Sequence, residues 1–108
     1  MELGNYEDAL ELLMKAYDMA KNIFAENDNR CAGILTLVSN CFVKMKEYEK
    51  ALEYMEKVWQ ISEQNFGFKS ESCGLVYLET AKIYGKKSDF PHAIEMQIRA
   101  INVFTELK

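Results

Sequence analysis

His92 and the three cysteines Cys31, Cys41 and Cys73 carry all the imidazole and thiol chemistry this sequence offers. A histidine acting as general base needs a nucleophile within hydrogen-bond reach, and no nucleophile pattern surrounds His92. It reads as an exposed residue in the first turn of a helix. The cysteines are odd in number and lack paired CxxC spacing, so neither a disulfide framework nor a zinc site is expected. Cys31 and Cys73 look instead like small buried side chains at matching places, and Cys41 like a third. The residues therefore point to no enzyme, no metal and no cofactor.

Charge narrows the partners. With a formal net charge of −4 and a pI near 5.0, the chain lacks the clustered Lys/Arg face that phosphate binding requires. Lys86-Lys87 is too small a basic patch, so no nucleic acid is expected. Neither a membrane-spanning apolar run nor a signal-peptide pattern is present, since Glu2 and Glu7 interrupt the start. Without a disulfide framework, a cytoplasmic protein is expected. At 108 residues the chain makes one domain. Five Gly and a single Pro suit helices better than a turn-rich β architecture, and the fold class reads as all-α.

What organises the chain is a pattern written three times. Tyr6-Glu7-Asp8-Ala9-Leu10-Glu11 returns in Tyr48-Glu49-Lys50-Ala51-Leu52-Glu53 and again in Phe90-Pro91-His92-Ala93-Ile94-Glu95. The central alanines Ala9, Ala51 and Ala93 stand 42 residues apart, 51 − 9 and 93 − 51. Cys31 and Cys73 keep the same interval. A fixed period of this size marks a solenoid, whose units bury their apolar faces on one another.

Five helices follow from periodicity and end signals. The first runs from Tyr6 to about Glu26, with Asn5 as its cap, one apolar side at Leu10, Leu13 and Tyr17, and a second stripe at Leu12, Met19 and Ile23. Two stripes imply cover from two sides. Asp28 caps a second helix reaching about Met45, with Leu35, Val38, Ser39 and Phe42 inward. The third spans Tyr48 to about Asn65 and turns Ala51, Leu52, Met55, Val58, Trp59 and Ser62 inward; Glu53 and Lys57 would pair across one turn. Gly67 suits a left-handed helix end, and Ser70 caps a fourth helix to about Lys86, packing through Tyr77, Thr80, Ala81 and Tyr84. Asp89 caps the last, Phe90 to Leu107, with Pro91 in its first turn.

These hairpins resemble the tetratricopeptide repeat (TPR) family. Its first helix, helix A, carries large, bulky, small and aromatic residues at spacings 0, 3, 4 and 7, met by Leu35, Val38, Ser39, Phe42 and by Tyr77, Thr80, Ala81, Tyr84. Its helix B carries an aromatic, then Ala, then a small residue, met by Tyr6, Ala9, Ala16, by Phe90, Ala93, Ala100, and by Tyr48, Ala51, Val58 with the last enlarged. The resemblance implies a right-handed superhelix of antiparallel helical hairpins, about five helices in two and a half repeats. Residues 1–26 would be helix B of a partial repeat and 28–66 and 70–108 whole repeats, the single domain 1–108 belonging to a longer array. The period departs from the family's usual 34 and is similar to that of kinesin light chain-like arrays. Lys21, Glu63 and Thr105 stand where the family's closing proline would be.

The same resemblance implies a non-catalytic scaffold that takes a peptide or partner protein in a concave groove lined by helix A. The groove residues would be Gly33, Thr36, Leu37, Asn40 and Lys44, then Leu75, Leu78, Glu79, Lys82 and Lys86. Asn40 stands where the family places an Asn that bonds a peptide backbone. Thr36 replaces the Lys of TPR domains that clamp a C-terminal carboxylate, and Glu79 would oppose that charge. The competing readings are self-association through exposed terminal helices, where Ile94, Ile98 and Ile101 form a stripe and the Leu10, Leu13, Tyr17 side is expected to lie partly uncovered, and a regulatory segment of a larger enzyme.

Overall fold

A computed structural model describes residues 3–106. Five helices follow in order: α1 (Leu3–Phe24), α2 (Asn29–Lys44), α3 (Tyr48–Phe66), α4 (Glu71–Lys86) and α5 (Phe90–Glu106). Each packs on its sequence neighbours, so α2/α3 and α4/α5 are hairpins and α1 leans on the first of them. The array is a slab of 40 × 35 × 17 Å, about two helix diameters thick. Equivalent helices, α2 and α4 or α3 and α5, begin 42 residues apart.

The period extends to the backbone of the turns. Lys46 and Ser88 both take positive φ, 63° and 67°. At each, the following N–H reaches back five residues, Glu47 N to Phe42 O and Asp89 N to Tyr84 O, both at 2.9 Å. That is the Schellman closure of an α-helix. Between repeats the left-handed residue is Ala25 (φ 100°) in one connector and Gly67 (φ 85°) in the next. The carbonyl of each accepts the thiol of the buried cysteine six residues on, from Cys31 Sγ at 3.4 Å and Cys73 Sγ at 3.3 Å. Asp28 caps α2 by accepting Arg30 N at 2.8 Å, and Ser70 caps α4 by accepting Cys73 N at 3.2 Å.

The core runs between the two layers. Leu35, Val38, Ser39 and Phe42 are buried together with Ala51, Met55, Val58 and Ile61. In the first hairpin the Ser39 hydroxyl ties α2 to α3 by donating to Ala51 O at 2.9 Å. In the second hairpin the tight point is Gly74, which faces the Phe104 ring. Their counterparts 42 residues earlier are Ala32 and Ser62, both buried. One repeat pairs a methyl with a hydroxymethyl, the other a bare Cα with a phenyl ring, so the lost Cβ makes room for the ring.

Several expectations are corrected. Asn5 lies inside α1, which spans Leu3–Phe24, and is not its cap. On the side of α1 that bears Leu10, Leu13 and Tyr17, α2 packs and Tyr17 is buried, while Leu10 and Leu13 stay half-buried, so that side is partly uncovered as expected. The uncovered stripe is Leu12, Met19 and Ile23, with Leu12 67% exposed. On α4, Ala81 is buried but Tyr77, Thr80 and Tyr84 are only half-buried, while Cys73, Gly74, Val76 and Ile83 are the buried set. Leu52 and Trp59 are half-buried rather than core. Cys41 is half-buried, unlike the other two thiols. Lys57 lies 5.0 Å from the Tyr54 ring centroid and forms no ion pair with Glu53. The helix end placed at Leu107 falls outside the described residues.

Candidate functional site

The face of helix A turned away from its hairpin partner is set by helical geometry. Once Leu35, Val38 and Phe42 point inward, Gly33, Leu37, Asn40 and Lys44 must point outward, and all four are exposed. On α4 the same steps expose Leu75, Lys82 and Lys86 and leave Leu78 and Glu79 half-buried. The two sets are register equivalents: Gly33 with Leu75, Thr36 with Leu78, Leu37 with Glu79, Asn40 with Lys82, Lys44 with Lys86. Leu37 is 52% and Leu75 49% exposed, high for side chains whose burial would contribute about 1.5–3 kcal/mol each.

Electrostatics on this face are mild. Lys82 Nζ lies 3.4 Å from Glu79 Oε1, so one of the three lysines is already paired. The Thr36 hydroxyl donates to Ala32 O at 2.9 Å, one turn back on its own helix.

Three of the ten residues meet in a cleft that sequence reasoning did not foresee. Leu37, Asn40 and Lys44 line it from α2 together with Cys41, and Tyr6, Ala9, Leu12 and Leu13 line it from α1; its volume is about 450 Å³. The wall opposite Leu37 is therefore α1 and not α4. Burial raises the Cys41 thiol pKa above its ordinary value. The signal that could have found this cleft is the period itself. Adding 42 to its lining gives Tyr48, Ala51, Tyr54 and Met55 on α3 and Glu79, Lys82, Ile83 and Lys86 on α4, and there Ala51, Met55 and Ile83 are core.

The back of the array repeats as well. Tyr17 and, with it, Glu26, Asn27, Leu35, Lys57, Gln60, Ile61 and Gln64 line a cleft of about 390 Å³. Phe68, Lys69, Tyr77, Arg99, Asn102, Val103 and Glu106, the counterparts of the other seven, line another of about 300 Å³. Tyr17 has no equivalent in the second cleft.

His92 sits at the start of α5, its Nδ1 2.8 Å from Asp89 Oδ2 and its ring stacked on Tyr84 at 5.1 Å. Asp89 Oδ1 also faces His92 N at 3.4 Å, so this cluster is built as a helix start. Among the described residues, no group of three or more His, Cys, Asp or Glu is placed to hold a metal ion, and no helix is long and apolar enough to cross a membrane.

Hairpins that repeat in sequence, turn geometry and clefts, with an exposed face on every first helix, define a helical-repeat module for protein–protein interaction. The family model of the tetratricopeptide repeat matches residues 1–64, which span α1 to α3, and the chain belongs to that family. Among curated proteins, none matches the chain.

Proposed function

We propose that this chain is a non-catalytic scaffold that binds a peptide or partner protein on the outward face of α2 and α4. The observation that carries this reading is that both first helices present an outward face with an exposed leucine beside polar groups, at different register positions: Leu37 with Asn40 and Lys44 on α2, Leu75 with Lys82 and Lys86 on α4. Apolar contact supplies affinity, and the polar groups hold an extended backbone in register. The test is co-purification with wild type and with a Leu75→Glu, Lys82→Glu variant, both on exposed positions. Loss of the same partners from the variant supports the groove; an unchanged set refutes it.

A second reading has its own observation. Ile94, Ile98 and Ile101 form one stripe on α5, each more than half exposed. Joined copies would cover it, since exposed apolar patches of this kind mark interaction surfaces. Sedimentation over a concentration series, with Ile98→Glu as the dissociating variant, decides this one: a wild type that stays monomeric removes it.

A further inference from the structure

On the side of α4 opposite its outward groove positions, α3 and α5 flank a cleft of about 350 Å³. Glu56 and Trp59 line it from α3, Tyr77, Thr80 and Tyr84 from α4, and Met96 from α5. Its walls and floor are helices of the chain itself, with α3 and α5 each packed on α4. Ten residues line the cleft, and 42 positions earlier nine of their counterparts belong to the hydrophobic core or pack against it, the tenth being Lys57. The second repeat therefore stands open at positions where the first is packed.

Side-chain exchanges account for the difference. Tyr54, whose ring stacks on Phe42 at 5.5 Å, gives way to Met96; Met14, packed on the core, to exposed Glu56; and fully buried Val38 to half-buried Thr80. The ring and the thioether that fill the first repeat are lost, but aromatic surface remains, with the Trp59 and Tyr77 centroids 6.2 Å apart and Tyr84 on the same floor. The Thr80 hydroxyl already donates to Val76 O at 2.8 Å. The indole N–H of Trp59 is buried without an acceptor, and among the described residues it is the one buried side-chain nitrogen or oxygen so placed. A buried donor left unpaired is costly, so an incoming acceptor is favoured there.

We propose that this cleft binds a phenolic ring, which takes the place that Tyr54 fills in the first repeat and whose hydroxyl oxygen accepts the hydrogen bond of the Trp59 indole. The lining suits a ring: Trp59, Tyr77 and Tyr84 offer offset or edge-on aromatic contacts, and Met55 and Met96 offer sulfur–aromatic ones. A ring without the oxygen would leave the indole unpaired. Glu56 and Arg99 stand on opposite walls with opposite charges, which suits a neutral ligand better than an ion of either sign. The same chemistry comes from a tyrosine of a partner protein or from a free phenol, and the test separates the two sources. Because the cleft lies across α4 from Leu75 and Lys82, it stands or falls apart from the groove reading.

The probes are p-cresol, toluene, which lacks the oxygen, and N-acetyl-tyrosine amide, titrated into the full chain and followed in nitrogen-correlated NMR spectra by the indole N–H of Trp59, the single tryptophan. Saturable binding of p-cresol in the millimolar range is expected, the scale for a ligand of so few atoms, with the indole proton moved further downfield than toluene moves it. Met96→Tyr, which gives the second repeat the ring of the first, should weaken binding roughly tenfold or more without lowering Tm. Exposed Glu56→Met, which restores the other filler, should weaken it less, and Leu75→Glu should leave it unchanged. If Met96→Tyr does not fold, Glu56→Met decides alone. Saturation by N-acetyl-tyrosine amide as well assigns the site to a partner's tyrosine, and saturation by p-cresol alone assigns it to a free phenol; both uphold the proposal. No saturation by either, equal indole shifts with p-cresol and toluene, or binding that withstands both cleft substitutions overturns it. Loss of binding in Leu75→Glu places the ring in the groove and likewise overturns the proposal while sparing the scaffold reading.

Discussion

Replacing Gly74 by alanine tests the packing argument at its tightest point. A Cβ built there would lie 2.7, 2.8 and 3.2 Å from three atoms of the Phe104 ring, well inside van der Waals contact. The ring is stiff, and Gly74 and Phe104 belong to the two helices of one hairpin, so relief means moving α5 off α4. Overpacking of this kind costs about 1–3 kcal/mol. Alanine in a helix recovers about 1 kcal/mol relative to glycine. The net expectation is a loss between about zero and 2 kcal/mol, or up to roughly 8 °C in Tm at about 4 °C per kcal/mol. A double-mutant cycle makes the test sharper than the single value. In a Phe104→Ser background, which recreates the Ala32–Ser62 pair of the first repeat, Gly74→Ala should stabilise by about 1 kcal/mol because only the helix propensity remains. Urea midpoints by circular dichroism for the four proteins give the coupling. Gly33→Ala, with nothing within 4 Å of its Cβ, supplies the control for propensity alone. A Gly74→Ala change that stabilises both backgrounds equally would refute the account of how the second repeat accommodates its phenylalanine.

Ala25 occupies the left-handed position that Gly67 fills in the next connector; Ala25→Gly should raise stability by about 1 kcal/mol in urea denaturation, since an L side chain is disfavoured there by that order. Asp28 is held at a pKa of about 2 by the Arg30 side chain and then by the Arg30 backbone N–H. Its folded-state pKa lies below the ordinary value of 3.8, so its stabilising contribution is complete above about pH 4 and fades as the pH falls towards 2. Thermal melts of Asp28→Asn should therefore lose that part of the acid dependence, and unchanged curves would refute the cap. Burial raises the pKa of all three thiols; a thiol reagent near pH 7 should modify half-buried Cys41 first and reach Cys31 and Cys73 only on unfolding, which mass spectrometry of the labelled protein would show.

What the sequence determined by itself is everything that depends on a few neighbouring residues or on the period. Asp28 and Ser70 cap helices because a short side-chain acceptor next to an apolar-periodic run has free N–H groups to meet. Gly67 closes α3 for a steric reason that needs no tertiary contact. The inward set Leu35, Val38, Ser39 and Phe42 was legible because spacing fixes which residues share a face, and so was the exposure of Gly33, Leu37, Asn40 and Lys44 opposite it. Only the tertiary structure decided which faces are covered. Leu12, Met19 and Ile23 looked as buriable as Leu10, Leu13 and Tyr17, yet α2 lies on the second set and leaves the first in solvent. Val76 and Ile83 are core while Ile34 and Cys41, the same positions one repeat earlier, are not. Periodicity says that residues lie together on a helix, a local property. Burial requires a second helix over that face, and whether one is there depends on the placement of an element that local sequence does not encode.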